Sequence, residues 1–425
     1  MKEFNITGVC VPHKHYMVDI KKKLNKIIEL IEKEKYFTIN RARQFGKTTT
    51  FSQIYEALKE KYLVVKISFE GIGEKAFSME SAFVNSFINL VAKRLKQNKV
   101  EKSIINQWEK NKNELEKLEE LSDKITQLAQ SSNKEIILLI DEVDKSSNNQ
   151  LFLHFIGMLR NKYLEREEGL DNTFKSVILA GVYDVKNLKI KVGSDEERKF
   201  NSPWNIASDF EVDMSFNPYE IGTMLDEYEK ENNTGMNIHT ISNEIYKFTS
   251  GYPFLVSKLC KIIHEKQDKD WSLKGIEESV KLLLEEKNTL FDDLVKNLEN
   301  YNELYQLVYD ILIEGKNIHF NIDNPIIDWG VMFAILSKKN GNTSVSNKIF
   351  ELRIYNYLIS KRSTQKGELV TYEYRSKFIE NKKLNMELAL TKFQEIMREE
   401  FRERDAKFIE REGRLLFLCF IKPII

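Results

Sequence analysis

The apolar positions fall into short uninterrupted runs separated by longer amphipathic stretches. Ile20, Leu24, Ile27, Ile28 and Ile31 recur at helical spacing among lysines and glutamates, which predicts a helix over 19–34. YFTIN (36–40) is a β-prone run that ends in a polar loop. A second helical face, Phe51, Ile54, Tyr55 and Leu58, follows over about 47–60. LVVKISF (63–69), IILLI (136–140) and SVILAGV (176–182) have the pattern of buried strands, and FEVDMSF (210–216) predicts a last short one. Residues 78–97 and 103–130 between them predict charged helices. Strands alternating with helices imply an α/β architecture, a parallel sheet covered on both faces.

After residue 216 the pattern turns helical. NPYEIGTMLDEYEKENN is a short amphipathic helix, and 240–267 holds two more, split at FTSGYPF (248–254). Residues 270–314 predict charged helices. Asn340-Gly341 lies between β-prone runs, the signal of a hairpin, and helices on both sides suggest a winged-helix-like module. Residues 383–410 predict one long charged helix, followed by an apolar stretch over 415–425. The expected division is a core over 1–216, a helical region over 217–284, the winged-helix-like module over 285–365 and a helical C-terminal segment over 366–425.

Composition narrows the classes. Of 425 residues, 42% are hydrophobic, enough for ordinary cores. Lys+Arg 65 balances Asp+Glu 65, which excludes a globally basic nucleic-acid binder and an acidic solvating chain but leaves local basic patches open. Cys10, Cys260 and Cys419 are odd in number and far apart, so neither a disulfide framework nor a zinc knot is expected and a reducing cytoplasm is the natural compartment. The N-terminus shows no secretory apolar core, and no run approaches the roughly 18–20 apolar residues of a membrane span.

The sharpest chemical signal is RARQFGKT (41–48), directly after a strand and before a helix. A phosphate-binding loop needs that context, because backbone N–H groups at a helix N-terminus cradle phosphates. Arg43, Gln44, Phe45, Gly46, Lys47, Thr48 and Thr49 are the candidate nucleotide cradle. Lys47 would reach the β/γ-phosphates and the Thr48 hydroxyl would ligate Mg²⁺. Gly46 permits close backbone approach. The loop departs from G-x-x-x-x-G-K-[ST] at its first position, where Arg41 stands. IILLIDE (136–142) is the second signal: Asp141, at the end of an apolar strand, is the candidate Mg²⁺ partner of Thr48, and Glu142 the group that orients and deprotonates water. Tyr183, Asp184 and Asn187, after SVILAGV, are candidate γ-phosphate sensors, and Arg160 is a further sensor or finger candidate with a surface arginine as the plainer reading. Gly251-Tyr-Pro253 opens a helix, where proline is ordinary first-turn chemistry.

These four motifs in this order, Arg-x-Arg-Gln-x-Gly-Lys-Thr-Thr, the strand ending Asp-Glu, Ala-Gly-Val-Tyr-Asp and Gly-Tyr-Pro, resemble the bacterial AAA-ATPase-like proteins of the wider STAND and archaeal-type P-loop ATPase group. The resemblance covers about 5–265 well and 285–365 more loosely. It implies ATP and Mg²⁺ as cofactors, hydrolysis used as a conformational switch, a five-stranded core of order 5-1-4-3-2, a helical lid and a winged helix. It places Tyr16 and Met17 near the adenine base and carries an adenine contact from the lid to Pro253. Longer relatives continue into a PD-(D/E)XK nuclease-like domain. Here the expectation is either a truncated chain that lacks that domain or a C-terminal segment that docks a partner.

Other features carry less. His13 and His15 have no Cys or acid at ligand spacing, and Lys21, Lys22 and Lys23 are expected to be solvated. Lys338, Lys339, Lys348, Arg353, Lys361 and Arg362 surround the expected wing and are candidates for DNA phosphate contact, or for packing of the module as an arm. The competing readings of the whole are a nucleic-acid-binding module of a defence or mobile-element system with a structural nucleotide, and an interaction scaffold whose phosphate loop is degenerate at Arg41.

Overall fold

The structure is a computed structural model that describes residues 2–143, 149–182, 204–366, 379–380, 383–400 and 417. The chain divides into two compact units, Met1–Tyr246 with Ser250–Ser279, and Lys247–Thr249 with Val280–Ile425.

The first unit begins with α1 (Lys21–Glu32), β1 (Phe37–Asn40), α2 (Lys47–Leu58) and β2 (Leu63–Ser68). It continues through α3 (Glu80–Gln97), α4 (Lys102–Glu109), α5 (Leu118–Ser131), β3 (Ile136–Asp141), α6 (Gln150–Glu167) and β4 (Ser176–Gly181). The four strands form one parallel sheet of order β1-β4-β3-β2. Period-two alternation sends Val65, Ile67, Leu138, Ile140, Val177 and Leu179 into a core with α3, α5 and α6. The other face, with Ile137, Leu139, Ile178, Phe37 and Ile39, packs on α1 and α2 through Ile27, Ile31, Phe51 and Ile54.

The sequence predicts a fifth strand over 210–216, and the chain there does not form one. Ser208 makes one parallel bridge with Phe37, its amide donating to the Tyr36 carbonyl at 2.8 Å, and no ladder follows. Val212 and Met214 are nevertheless buried against the β1 side of the sheet. Apolar burial held this segment in the place of a fifth strand without the hydrogen-bond register. The predicted helix over 103–130 is also interrupted. Asn111 takes a left-handed backbone (φ 57°), and a fresh helix start follows at α5, where the Glu120 carboxylate accepts from the Lys117 amide at 2.9 Å.

At the free edge of the sheet, β2 presents carbonyls that side chains of α3 and its C-cap cover. Arg94 Nε donates to the Lys66 carbonyl at 2.5 Å and Asn98 Nδ2 to the Val64 carbonyl at 2.9 Å.

The helical region starts with α7 (Pro218–Asn232), α8 (Ile238–Thr249), α9 (Pro253–Lys266) and α10 (Leu273–Glu285). Helix α7 has a reciprocal cap: Asn217 Oδ1 accepts from the Glu220 amide and Glu220 Oε2 from the Asn217 amide, both at 2.9 Å, with Pro218 at the first helical position.

The second unit contains α11 (Thr289–Asn300), α12 (Asn302–Leu312), α13 (Pro325–Met332), an antiparallel hairpin of β5 (Leu336–Lys339) and β6 (Asn342–Val345), and α14 (Lys348–Lys366). The hairpin turns at Asn340 and Gly341, both left-handed, as the sequence predicts. Residues 318–320 join its outer side: Thr343 donates to the Ile318 carbonyl at 2.7 Å and Phe320 to the Gly341 carbonyl at 3.0 Å. A short strand pair, β7 (Ile379–Glu380) and β8 (Lys383–Leu384), precedes α15 (Met386–Glu400), so the predicted helix over 383–410 starts later than expected. The remainder of the C-terminal segment, which carries the truncation or docking expectation, lies outside the described residues apart from 417.

Candidate functional site

The parallel register brings the strand ends to one edge of the sheet. Asn40 pairs with Gly181 and Ser68 with Asp141, so the loop after β1 and the acid that ends β3 emerge on the same side. The loop is tight because two of its residues are left-handed: Gln44 at φ 57° and Gly46 at φ 80°. Gly46 is the N-cap of α2, and a Cβ there would meet no atom within 4 Å, so its requirement is conformational rather than steric crowding. Lys47, the first residue of the helix, is buried at 8% exposure. Its ammonium donates to the carbonyls of Arg41 at 2.7 Å and Ala42 at 3.0 Å.

Thr48 follows, part-buried, and its carbonyl accepts from Ser52 Oγ at 3.2 Å and Lys66 Nζ at 3.3 Å. Lys66, on β2, also donates to Ser52 Oγ at 2.7 Å. Burial lowers its pKa while the nearby Asp141 carboxylate works to raise it and Arg94 to lower it. Lys66 thus touches the helix that carries Thr48 and feels the charge of Asp141. Asp141 is 3% exposed, and its Oδ1 accepts from the Glu142 amide at 3.0 Å. Glu142 takes a left-handed backbone at φ 57°, a conformation costly for a residue with a side chain and one that clusters at functional sites. The Thr49 hydroxyl accepts from the Cys10 amide at 3.2 Å, so the N-terminal segment reaches the phosphate-loop helix. A hydroxyl and a carboxylate are hard oxygen donors, and together with the helix N-terminus they fit a nucleotide phosphate with Mg²⁺.

Arg41, which departs from the loop pattern, keeps its side chain out of the cradle. Its guanidinium donates to the carbonyls of Asn40 at 2.7 Å and Val212 at 2.8 Å and stacks 5.5 Å over the Phe210 ring.

The helical region closes on the same edge. Between α8 and α9 the chain turns through Ser250 (φ 46°) and Gly251 (φ 72°), and a Cβ on Gly251 would lie 1.9 Å from the Phe216 carbonyl oxygen. Tyr252 then places its hydroxyl on the Arg43 carbonyl at 2.5 Å and its ring edge-on to Phe45 with centroids 4.7 Å apart. Pro253 is the buried first residue of α9. Tyr252 is a contact that spacing did not single out, although it sits inside the Gly-Tyr-Pro motif.

Tyr16 is buried at 3% exposure among Phe4, 4.9 Å away, and Tyr228, 5.2 Å away, and its hydroxyl donates to Glu231 at 2.7 Å. Burial and that carboxylate raise its pKa to about 12. Phe4, Tyr16, Tyr228 and Trp271 form an aromatic cluster that ties the N-terminal segment to α7. Met17 beside it is part-exposed. Lys23, expected to be solvated, instead donates to the Ser215 carbonyl at 2.5 Å and to Glu220 at 2.6 Å, with 14% of its side chain exposed. Arg160, on α6, donates to Asn205 Oδ1 at 2.7 Å. The candidate sensors Tyr183, Asp184 and Asn187 lie outside the described residues. In the second unit Arg353 is spent internally: its guanidinium donates to the Leu284 carbonyl at 2.5 Å and stacks 4.8 Å over Phe291. Lys361 lies 4.4 Å over the Tyr305 ring. Lys338, Lys339 and Lys348 are exposed.

Among the described residues no helix is long and apolar enough to cross a membrane, and no group of three or more His, Cys, Asp or Glu is placed to hold a metal ion.

Comparison with known proteins agrees with this geometry. A Walker-type ATPase of Pyrococcus abyssi superposes with a TM-score of 0.56 at 12% identity, over 83% of this chain and 99% of that one. The ORC2 protein of Aeropyrum pernix gives a TM-score of 0.39 at 10% identity, over 83% and 97%, too low to carry an argument. An uncharacterised WD repeat-containing protein of Synechocystis is 23% identical over 303 residues, 66% of this chain and 24% of that protein, so the chain spans about a quarter of the length of this relative. The profile of the AAA-like domain family matches residues 12–326, from the N-terminal segment through the phosphate loop, the Asp-Glu strand and the helical region; the chain belongs to the AAA-like domain family and has the fold of a Walker-type ATPase.

Proposed function

We propose that the protein binds ATP at the loop between β1 and α2 and hydrolyses it with Mg²⁺, and that hydrolysis serves as a conformational switch. The observation that carries this reading is the left-handed turn through Gln44 and Gly46, which delivers buried Lys47 to the first turn of α2 on the sheet edge where Asp141 ends β3 and Glu142 follows it. Backbone amides of 44–48 at the helix N-terminus would hold phosphate oxygens, with Arg43 and Thr49 flanking them. Lys47 would exchange its two carbonyl partners for phosphate oxygens. Thr48 and Asp141 would hold Mg²⁺, which would supply charge neutralisation to the phosphates. Glu142 would orient the attacking water and take its proton. Tyr252 fixes α9 against the carbonyl of Arg43, and Pro253, the next residue, would contact the base from the lid side. Met17 is the member of its pair proposed to face adenine, while Tyr16 anchors the segment through Glu231.

In the second unit the four helices α11 to α14 and the β5–β6 hairpin support the winged-helix-like reading. Arg353 and Lys361 contribute to its packing, so a phosphate-bearing partner would meet Lys338, Lys339 and Lys348. The cytoplasm is the proposed compartment.

The test is phosphate release from ATP with Mg²⁺ by wild type, Lys47→Ala and Glu142→Gln. Wild type should turn over, Lys47→Ala should lose binding, and Glu142→Gln should bind ATP while turnover falls by about 10²–10⁴. Equal turnover by all three forms would sink the assignment.

A further inference from the structure

Arg41 occupies the position where phosphate loops of this pattern carry glycine, and its backbone is not left-handed, so the position does not need glycine here. Its two ends engage different parts of the first unit. At the carbonyl it accepts from Lys47 Nζ at 2.7 Å. At the guanidinium it donates to the Val212 carbonyl at 2.8 Å and covers Phe210, whose ring in turn stacks on Phe37 of β1 at 5.7 Å and 3°. Burial lowers the pKa of this guanidinium while Asp213 works to raise it.

The segment so held, 208–217, has no ladder to β1 beyond the bridge at Ser208. It leads straight into the capped start of α7, and its far end is hydrogen-bonded to the helical region, the Phe216 amide donating to the Gly251 carbonyl at 2.8 Å. One residue therefore joins the ammonium that the proposed phosphates would recruit to the chain that leads into the lid.

We propose that Arg41 is a positioning residue that couples occupancy of the phosphate loop to the lid, with its guanidinium fork standing in for the missing ladder between β1 and residues 210–214. The inference rests on the ATP-site reading above. Phosphates compete with the Arg41 carbonyl for Lys47, and release of that carbonyl shifts residue 41 and, through the fork, Val212. A lysine cannot reproduce the fork, because its single ammonium does not span two carbonyls in a fixed plane.

The experiment is hydrogen exchange across 208–216 in the full chain, with and without ATP and Mg²⁺, paired with ATP affinity, for wild type, Arg41→Lys and Arg41→Gln. In wild type ATP should slow exchange at these amides. In both variants the ATP dissociation constant should rise by less than about fivefold while the ATP-dependent slowing falls by about tenfold or more, the size of an ordinary coupling between sites. Should Arg41→Gln fail to fold, Phe210→Leu removes the ring beneath the guanidinium and should weaken the slowing in the same direction. Full slowing in Arg41→Lys and Phe210→Leu overturns the coupling, as does loss of ATP affinity in step with the loss of slowing, which would make Arg41 part of the cradle. Wild type that binds ATP without any change across 208–216 overturns the inference and leaves the site reading intact. Wild type that binds no ATP overturns both.

Discussion

Lys162 shows what a single charge does away from the proposed chemistry. Only 1% of its side chain is exposed, and it pairs with Asp171 while donating to Thr126 Oγ1 at 2.7 Å. Thr126 in turn donates to Asp171 Oδ1 at 2.7 Å, and the Asn172 amide to the same oxygen. Burial pushes the Asp171 carboxyl upward, but the bonds from Lys162, Thr126 and Asn172 outweigh it and hold the group below the usual carboxylate range. A depressed folded value contributes stability that is present above the unfolded pKa and is lost as pH falls through the folded one. Asp171→Asn should therefore cost about 3 kcal/mol at pH 7, because Lys162 stays buried without its counter-charge. The gap to wild type should begin to narrow below about pH 4, where the carboxyl of the unfolded chain protonates, and close as pH falls through the lower folded value. Urea titrations of both proteins at pH 7 and pH 3 check this, and a gap independent of pH would refute it. Lys162, like Lys23 and Arg41, was not legible as a structural residue in the sequence. Local spacing tells which face of a helix is apolar, not which distant group a long side chain reaches: Arg41 finds the Val212 carbonyl 171 positions on and Lys23 the Ser215 carbonyl 192 positions on.

At the scale of elements, the turn between α8 and α9 is the most demanding. Gly251 combines a left-handed backbone with a Phe216 carbonyl oxygen 1.9 Å from where a Cβ would stand. Gly251→Ala should destabilise the first unit by about 2 kcal/mol or more, since both strain and the close approach act together. A melting temperature within about 1 °C of wild type would count against that, given that 1 kcal/mol shifts a domain of this class by about 2–4 °C. The elements themselves were mostly readable. IILLI and SVILAGV are continuous apolar runs bounded by polar loops, and they are the central strands β3 and β4. The 210–216 run instead alternates apolar and polar positions, and its Val212 and Met214 are buried, yet burial and ladder pairing are separate events, and periodicity reports only the first. The phosphate loop was legible because Gly46, Lys47 and Thr48 act through local backbone geometry. Tyr252 was not, because its partner, the Arg43 carbonyl, carries no side-chain signature.

The whole molecule is two compact units, with the proposed nucleotide site wholly in the first. Ligand that binds one folded unit stabilises that unit alone, by about 2.7 kcal/mol at a concentration 100 times the dissociation constant. Calorimetry should therefore resolve two transitions, and ATP with Mg²⁺ should raise one of them by roughly 5 °C while the other stays in place. A single transition that moves as a whole would show that the units unfold together. Arg94 and Asn98 have a consequence at this scale as well. An uncovered outer strand is a template on which another chain can lay down, the first step towards fibres. By holding the Val64 and Lys66 carbonyls, Arg94 of α3 and Asn98 at its C-cap deny that template to every other molecule in a crowded solution. The residues that finish this sheet thereby also serve as its defence against self-assembly.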